Sequence, residues 1–184
     1  MKKRLTILLS VLLIALCAAS LLFFAAGCND TATQTASNPS QTGDDGSIVM
    51  TAELKSGKVD VVVRLKKNCG INQMLLTLQY DTKVLTLTGM EEGAALKSLN
   101  LLTTNTTTEK GYSITPFKFS YLNEKKNDTS TGTMFTLHFS VKKNATAKQT
   151  TVGLKYDSGS IKSLANGSLV TKQFSITPAT VSLS

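Results

Sequence analysis

The feature that most limits how this chain can fold is a period of two. From Ser47 onward, Val59, Val61, Val63 and Leu65 alternate with Asp60, Val62 and Arg64. Met74, Leu76, Leu78 and Tyr80 alternate with Gln73, Leu75, Thr77 and Gln79. The pattern returns in Phe117, Phe119 and Tyr121, in Phe135, Leu137, Phe139 and Val141, in Phe174 and Ile176, and in Val181 and Leu183. Neighbouring side chains of a strand point to opposite faces, so each run offers one face to a core and one to water. Breakers lie between the runs: Ser56-Gly57, Asn68, Asp81, Glu92-Gly93, Lys110-Gly111, Gly132, Asn144, Ser158-Gly159 and Asn166-Gly167. Strands at this spacing, rich in Thr, Val and Phe, predict an all-β sandwich. One stretch departs from the rule. "AALKSLNLL", 94–102, has apolar residues at 95, 96, 99 and 102 and also suits a short helix. It reads as an irregular crossing with a strand near Leu99 to Thr103. At the corner "QYDTKV" the expected roles are structural. Tyr80 closes the core, and the Asp81 carboxylate accepts main-chain N–H groups in an Asx-turn.

The residues before Ser47 do not belong to this pattern. Lys2, Lys3 and Arg4 precede an almost wholly apolar segment from Leu5 to Ala26, and Ala25-Ala26-Gly27 leads into Cys28. That is the layout of an export signal. Its end resembles the lipobox of bacterial lipoproteins, in which the Cys becomes the lipid-bearing first residue, although Ala25 stands where Leu is usual. Two other readings stay open. The 22-residue apolar segment is long enough to remain as an uncleaved membrane anchor, and simple secretory cleavage near Ala26 is the third. The stretch from Asn29 to Gly46, "NDTATQTASNPSQTGDDG", has no aliphatic side chain larger than Ala and reads as a flexible spacer. The expected organisation is an export signal at 1–27, a spacer at 28–46 and one sandwich domain at 47–184.

Charge and residue types exclude several functions. The formal charge is +8, and three of the basic residues fall in the first four positions. Beyond them the lysines are scattered singly or in pairs, such as Lys66-Lys67, Lys125-Lys126 and Lys142-Lys143, and Arg64 is the one arginine. No stripe of Arg with interleaved aromatics is present, which argues against a nucleic-acid partner. The paired lysines suit solvated strand ends that discourage edge pairing. Of three cysteines, Cys17 lies in the apolar segment, Cys28 is the lipid candidate and Cys69 stands alone. A lone Cys makes neither a disulfide framework nor a metal site, and Cys69 reads as a small buried or half-buried thiol, with a free thiol near the strand start at Gly70, open to oxidation, as the alternative. His138 is the only histidine, too few for a His-based metal site, and no nucleophile pattern pairs with it. Glu91 and Glu92 are adjacent, while Glu109, Glu124 and Asp128 fall in expected loops, so no carboxylate pair suited to glycoside hydrolysis is visible. No catalytic residue, metal ligand or cofactor is assigned.

Three blocks carry a resemblance. "GINQMLLTLQYDTKVLTLTGM" from Gly70 is similar to the signature segment of cohesin domains, where Gly-Ile opens a strand and Tyr-Asp-x-x-Val-Leu turns into the next. "FKFSYLNEKKNDTSTGTMFTLHFSVK" from Phe117 resembles that family's aromatic strand, polar loop, Gly-led turn and Leu-x-Phe-x-Val strand. "TTVGLKYDSGSIKSLANGSLV" followed by "QFSITPATVSLS" looks like its closing strands. The resemblance runs in order from Ile48 to Ser184. It implies a jelly-roll β-sandwich of about nine strands and a non-catalytic role: holding a dockerin-bearing partner, usually a polysaccharide-degrading enzyme, on a scaffold or cell surface. With the export signal, it implies a domain outside the cell, tethered to the membrane through Cys28 or an anchor.

The family's dockerin lies across the face of the third, fifth, sixth and eighth strands. By resemblance the outward positions here are Gln73, Leu75, Thr77 and Gln79, then Lys118 and Ser120, then Thr136 and His138, with 123–128 as a loop at the rim. Leu75 would be the apolar anchor of a polar surface. The same residues also describe an ordinary solvated sheet face. Two other functions remain in view: direct polysaccharide binding, for which the chain has no Trp and four Tyr, and structural adhesion to a different protein.

Overall fold

The computed structural model of the chain describes residues 41–103, 108, 109, 112, 113 and 117–183. The export signal, Cys28 and the spacer up to residue 40 lie outside the described residues. Among the described residues fifteen strands are present: β1 Gln41–Asp44, β2 Gly46–Lys55, β3 Lys58–Lys67, β4 Gln73–Tyr80, β5 Leu85–Glu92, β6 Asn100–Thr103, β7 Thr108–Glu109, β8 Tyr112–Ser113, β9 Phe117–Leu122, β10 Gly132–Val141, β11 Gln149–Lys155, β12 Ile161–Ala165, β13 Ser168–Thr171, β14 Phe174–Thr177 and β15 Ala179–Ser182. β7 and β8 form a short ribbon, and the rest make two sheets.

The first sheet has six strands in the order β1-β14-β2-β3-β10-β5. All its pairings are antiparallel except β14 with β2. The second has seven strands and β4 at its centre. β9 lies on one edge of β4 with β6 beyond it, while β11 and β12 follow each other along the other edge. β15 flanks β11, and β13 folds back on β12. The result is a jelly-roll sandwich. Its core holds the inward members of the period-two runs: Val59, Val61, Val63, Leu65, Met74, Leu76, Leu78, Phe119, Leu137 and Phe139 are all at most 1 % exposed. Two aromatic pairs join the sheets. Phe119 of β9 stacks on Phe135 of β10 with centroids 4.3 Å apart, and Tyr80 of β4 meets Phe139 of β10 edge-on at 5.0 Å. Contacts of this kind contribute about 0.5–1.5 kcal/mol each beyond area burial.

The strand count exceeds the expected nine or so in part because two runs are divided. Pro178 cannot donate a ladder hydrogen bond, and the closing run splits there: β14 joins the six-stranded sheet and β15 the other. The run from Gln149 is broken between Lys155 and Ile161, where Ser160 accepts the Leu75 N–H and donates to Asp157. The folded domain also starts earlier than Ser47. Gln41–Asp44 pairs with β14, and the Gln41 carboxamide makes both hydrogen bonds to the Tyr156 main chain, each 3.0 Å. Short polar side chains had marked this stretch as spacer; a main-chain ladder and one amide hold it regardless.

Residues 93–99 form the expected irregular crossing into β6, with Ala95, Leu96 and Leu99 buried. Leu96 and Ser98 have φ of 54° and 68°, a left-handed conformation uncommon for non-glycine residues. Hydrogen bonds hold both in place, from Leu96 N–H to Ser130 Oγ at 3.1 Å and from Ser98 N–H to Glu92 Oε1 at 2.6 Å. The Asx-turn at Asp81 is present: its Oδ1 accepts the Lys83 N–H at 2.8 Å, and its carbonyl accepts from Val84 and Leu85. Cys69 departs from the buried reading and matches the alternative of a free thiol. Its side chain is exposed, because it stands in the turn before β4 rather than on an inward strand position.

Candidate partner-binding face

The register of the seven-stranded sheet fixes which side chains share its outer face. In β4, Met74, Leu76 and Leu78 are buried, so Gln73, Leu75, Thr77 and Gln79 point outward. In β9, Phe119 and Tyr121 are buried and Lys118, Ser120 and Leu122 point outward. Direct pairing sets Leu122 beside Gln73, Ser120 beside Leu75 and Lys118 beside Thr77. Asn100 of β6 continues the row of Ser120. Six of the expected residues therefore stand together: Gln73, Leu75, Thr77, Gln79, Lys118 and Ser120.

The other two do not. Thr136 and His138 belong to β10, which pairs with β3 and β5 in the six-stranded sheet. They point outward, but from the opposite side of the sandwich. β10 alternates as the other strands do, and alternation does not reveal which sheet a strand joins. The His138 Nδ1 lies 2.7 Å from Asp60 Oδ1 on the neighbouring strand, and its Nε2 lies 4.0 Å from Glu91 Oε2. All three side chains are exposed enough for water to screen them, so the contact contributes little.

The place expected for β10 is taken by β11 and β12. Gly153 pairs with Gln79 and Lys155 with Thr77, which puts Thr151, Gly153 and Lys155 on the outer face. Lys162 pairs with Gln73. "TTVGLK" carries the same alternation as the other runs, with Val152 and Leu154 inward, so its parity was readable although its sheet was not. Leu122 was also missed, although it continues the parity of Lys118 and Ser120. It is 61 % exposed, the most open large apolar side chain among the described residues.

One rim of this face is a loop held by side-chain amides. Buried Asn72 donates to the carbonyls of Asn123 and Lys126. Asn68 donates to the carbonyls of Asp128 and Ser130 at 2.9 and 2.8 Å. Asn127 makes both amide hydrogen bonds to the Leu164 main chain, at 2.9 and 2.7 Å, as a neighbouring strand would. Partial burial raises the Asp128 carboxyl's pKa, but the Ser130 and Tyr121 hydroxyls, the Ser130 N–H and the charge of Lys126 together hold it below the usual carboxylate value. Burial pushes the Tyr121 phenol up, so it remains a donor to Asp128 Oδ2 at 3.1 Å. The loop expected at 123–128 is thus a fixed rim. Among the described residues no group of three or more His, Cys, Asp or Glu could hold a metal ion.

The fold and this face define a jelly-roll module with a polar outer sheet surface. The family model of the cohesin domain matches residues 31–177, and the chain belongs to that family. Solved structures agree on the fold. A type I cohesin, the seventh of a ScaB protein from Pseudobacteroides cellulosolvens, is 18 % identical with a TM-score of 0.56, covering 76 % of this chain and 92 % of that one. The sixth cohesin of scaffoldin B from Acetivibrio cellulolyticus, in complex with a mutant dockerin, is also 18 % identical, with a TM-score of 0.53 and coverage of 78 % and 100 %. A type I cohesin–dockerin complex from Clostridium thermocellum gives 12 % identity, a TM-score of 0.51 and coverage of 78 % and 96 %. No curated protein matches the chain.

Proposed function

We propose that this chain is a non-catalytic binding module that holds a dockerin-bearing protein, such as a polysaccharide-degrading enzyme, on the outer face of its seven-stranded sheet. Cohesin family membership across residues 31–177 carries the reading. The geometry supports it. A partner that lies flat on the sheet needs a central apolar contact with polar surroundings. Leu75 and Leu122 supply the first, and Gln73, Thr77, Gln79, Ser120 and Thr151 supply the second. We further propose that residues 1–27 direct export and that Cys28 carries lipid on the outer face of the bacterial membrane, with the segment before Gln41 as spacer.

Direct polysaccharide binding has less support. Flat glycan sites stack sugars on exposed rings, whereas Tyr121 and Tyr156 are buried and Tyr80 packs its ring on Phe139. The experiment is binding of the full-length chain to the dockerin-bearing proteins of its own organism, followed by calorimetry, beside affinity gels containing cellulose, xylan or starch. Saturable dockerin binding without retardation in the gels is expected. If dockerin-bearing proteins are present and none binds, the reading fails. Cys28→Ala should release the chain from the membrane fraction; continued membrane association would end the lipid proposal.

A further inference from the structure

The outer face of the seven-stranded sheet carries charge of one sign. Lys118 and Lys155 flank Thr77 in a single row across β9, β4 and β11. Two strand intervals set their Cα atoms roughly 10 Å apart. Lys162 stands beside Gln73, four residues along β4, or about 13 Å away along the strand direction. The three surround Leu75, and Leu122 lies across Gln73 from Lys162. Among the described residues none of the three lysines has a carboxylate within ion-pair distance, and no Asp or Glu occupies an outward strand position of this sheet. The opposite face differs. There Glu53, Asp60 and Glu91 stand among Lys55, Lys58 and Arg64, with an ion pair from Glu53 to Lys55 and a hydrogen bond between Asp60 and His138.

Uncompensated like charges around an apolar contact repel one another in the free domain and are neutralised when a surface of opposite sign arrives, which favours encounter and fixes orientation. We infer that the partner of this face is an acidic protein surface: carboxylates placed to meet Lys118, Lys155 and Lys162 around an apolar side chain seated on Leu75 and Leu122. The inference rests on the reading of this sheet as the partner-binding face, and it names the chemistry of that partner. A polyanionic chain fits less well. The lysines are separate points with Thr77 and Leu75 between them, and among the described residues no arginine or exposed ring stands with them to follow a repeating anion.

The test uses the full-length chain in detergent and two synthetic helices, one with a leucine stripe flanked by Glu and a twin flanked by Lys, followed by fluorescence anisotropy. The Glu-flanked helix should bind at least about tenfold more tightly than its twin, and the preference should weaken as salt screens the charges. Lys118→Glu, Lys155→Glu and Lys162→Glu combined should abolish it, and the three Lys→Gln changes should reduce it. Unfolding midpoints close to that of the original chain would establish that the variants fold. Equal binding of the twins, or a preference that survives charge reversal, overturns the inference. So does displacement of the Glu-flanked helix by polygalacturonate at equal carboxylate concentration, which would mark the face as a polyanion site. Dockerin-bearing proteins form a separate arm. If they bind the original and charge-reversed chains equally, the inference fails and the dockerin reading stands. If they do not bind while the Glu-flanked helix binds through the lysines, the dockerin reading fails and the inference stands.

Discussion

At the residue scale, the Tyr156 hydroxyl joins the two halves of the sandwich. Tyr156 follows β11 in the seven-stranded sheet, while Phe174 opens β14 in the other. The hydroxyl donates to the Phe174 carbonyl and accepts the Phe174 N–H, both at 2.8 Å, in a buried setting. Tyr156→Phe keeps the ring and leaves both main-chain groups without this partner. A loss of about 1–3 kcal/mol is expected from urea unfolding, against a negligible change if the hydroxyl is idle. The sequence predicted neither this bond nor those of Asn72, because each depends on which distant main chain comes near. The Asx-turn at Asp81 was legible because its partners lie within four residues.

At the element scale, strand existence followed from alternation, but strand boundaries did not. β1 has no apolar pattern, yet its ladder to β14 and the two Gln41 hydrogen bonds to Tyr156 cover an edge that would otherwise stay unpaired. A chain that begins at Ser47 should therefore be less stable than one that begins at Gln41, by roughly 1–3 kcal/mol for the two side-chain hydrogen bonds alone. Denaturant midpoints of the two chains check this. Equal midpoints would mean that β1 contributes nothing. Gly46 belongs to the same argument: a Cβ there would lie 2.2 Å from the buried Phe174 ring, so the start of β2 requires a residue without one. The division of the 149–165 run was half legible. Ser158-Gly159 marked a break, but not that both pieces would lie along one edge of β4.

At the scale of the whole molecule, the sandwich has two polar faces separated by one core, and one of them gathers six of the eight residues expected to meet a partner. Leu75→Ala should weaken dockerin binding by about tenfold, an ordinary loss for a central anchor. Combined Thr136→Ala and His138→Ala should leave it unchanged, because those residues stand on the other face. Calorimetry with one dockerin-bearing protein measures both. A large effect of the second pair with none from the first would move the site to the six-stranded sheet.

The all-β class, the inward or outward sense of the residues in the alternating runs, the Asp81 corner and the cohesin resemblance were legible in the linear chain. These depend on local spacing, where the pleat makes side chains alternate whatever the strand pairs with. Folding alone set which strands share a sheet. It placed Lys155 and Lys162 beside Thr77 and Gln73, and Thr136 and His138 behind them. Sheet membership is a long-range pairing choice, set by closure of the whole core, and a strand's own period is the same on either side of it.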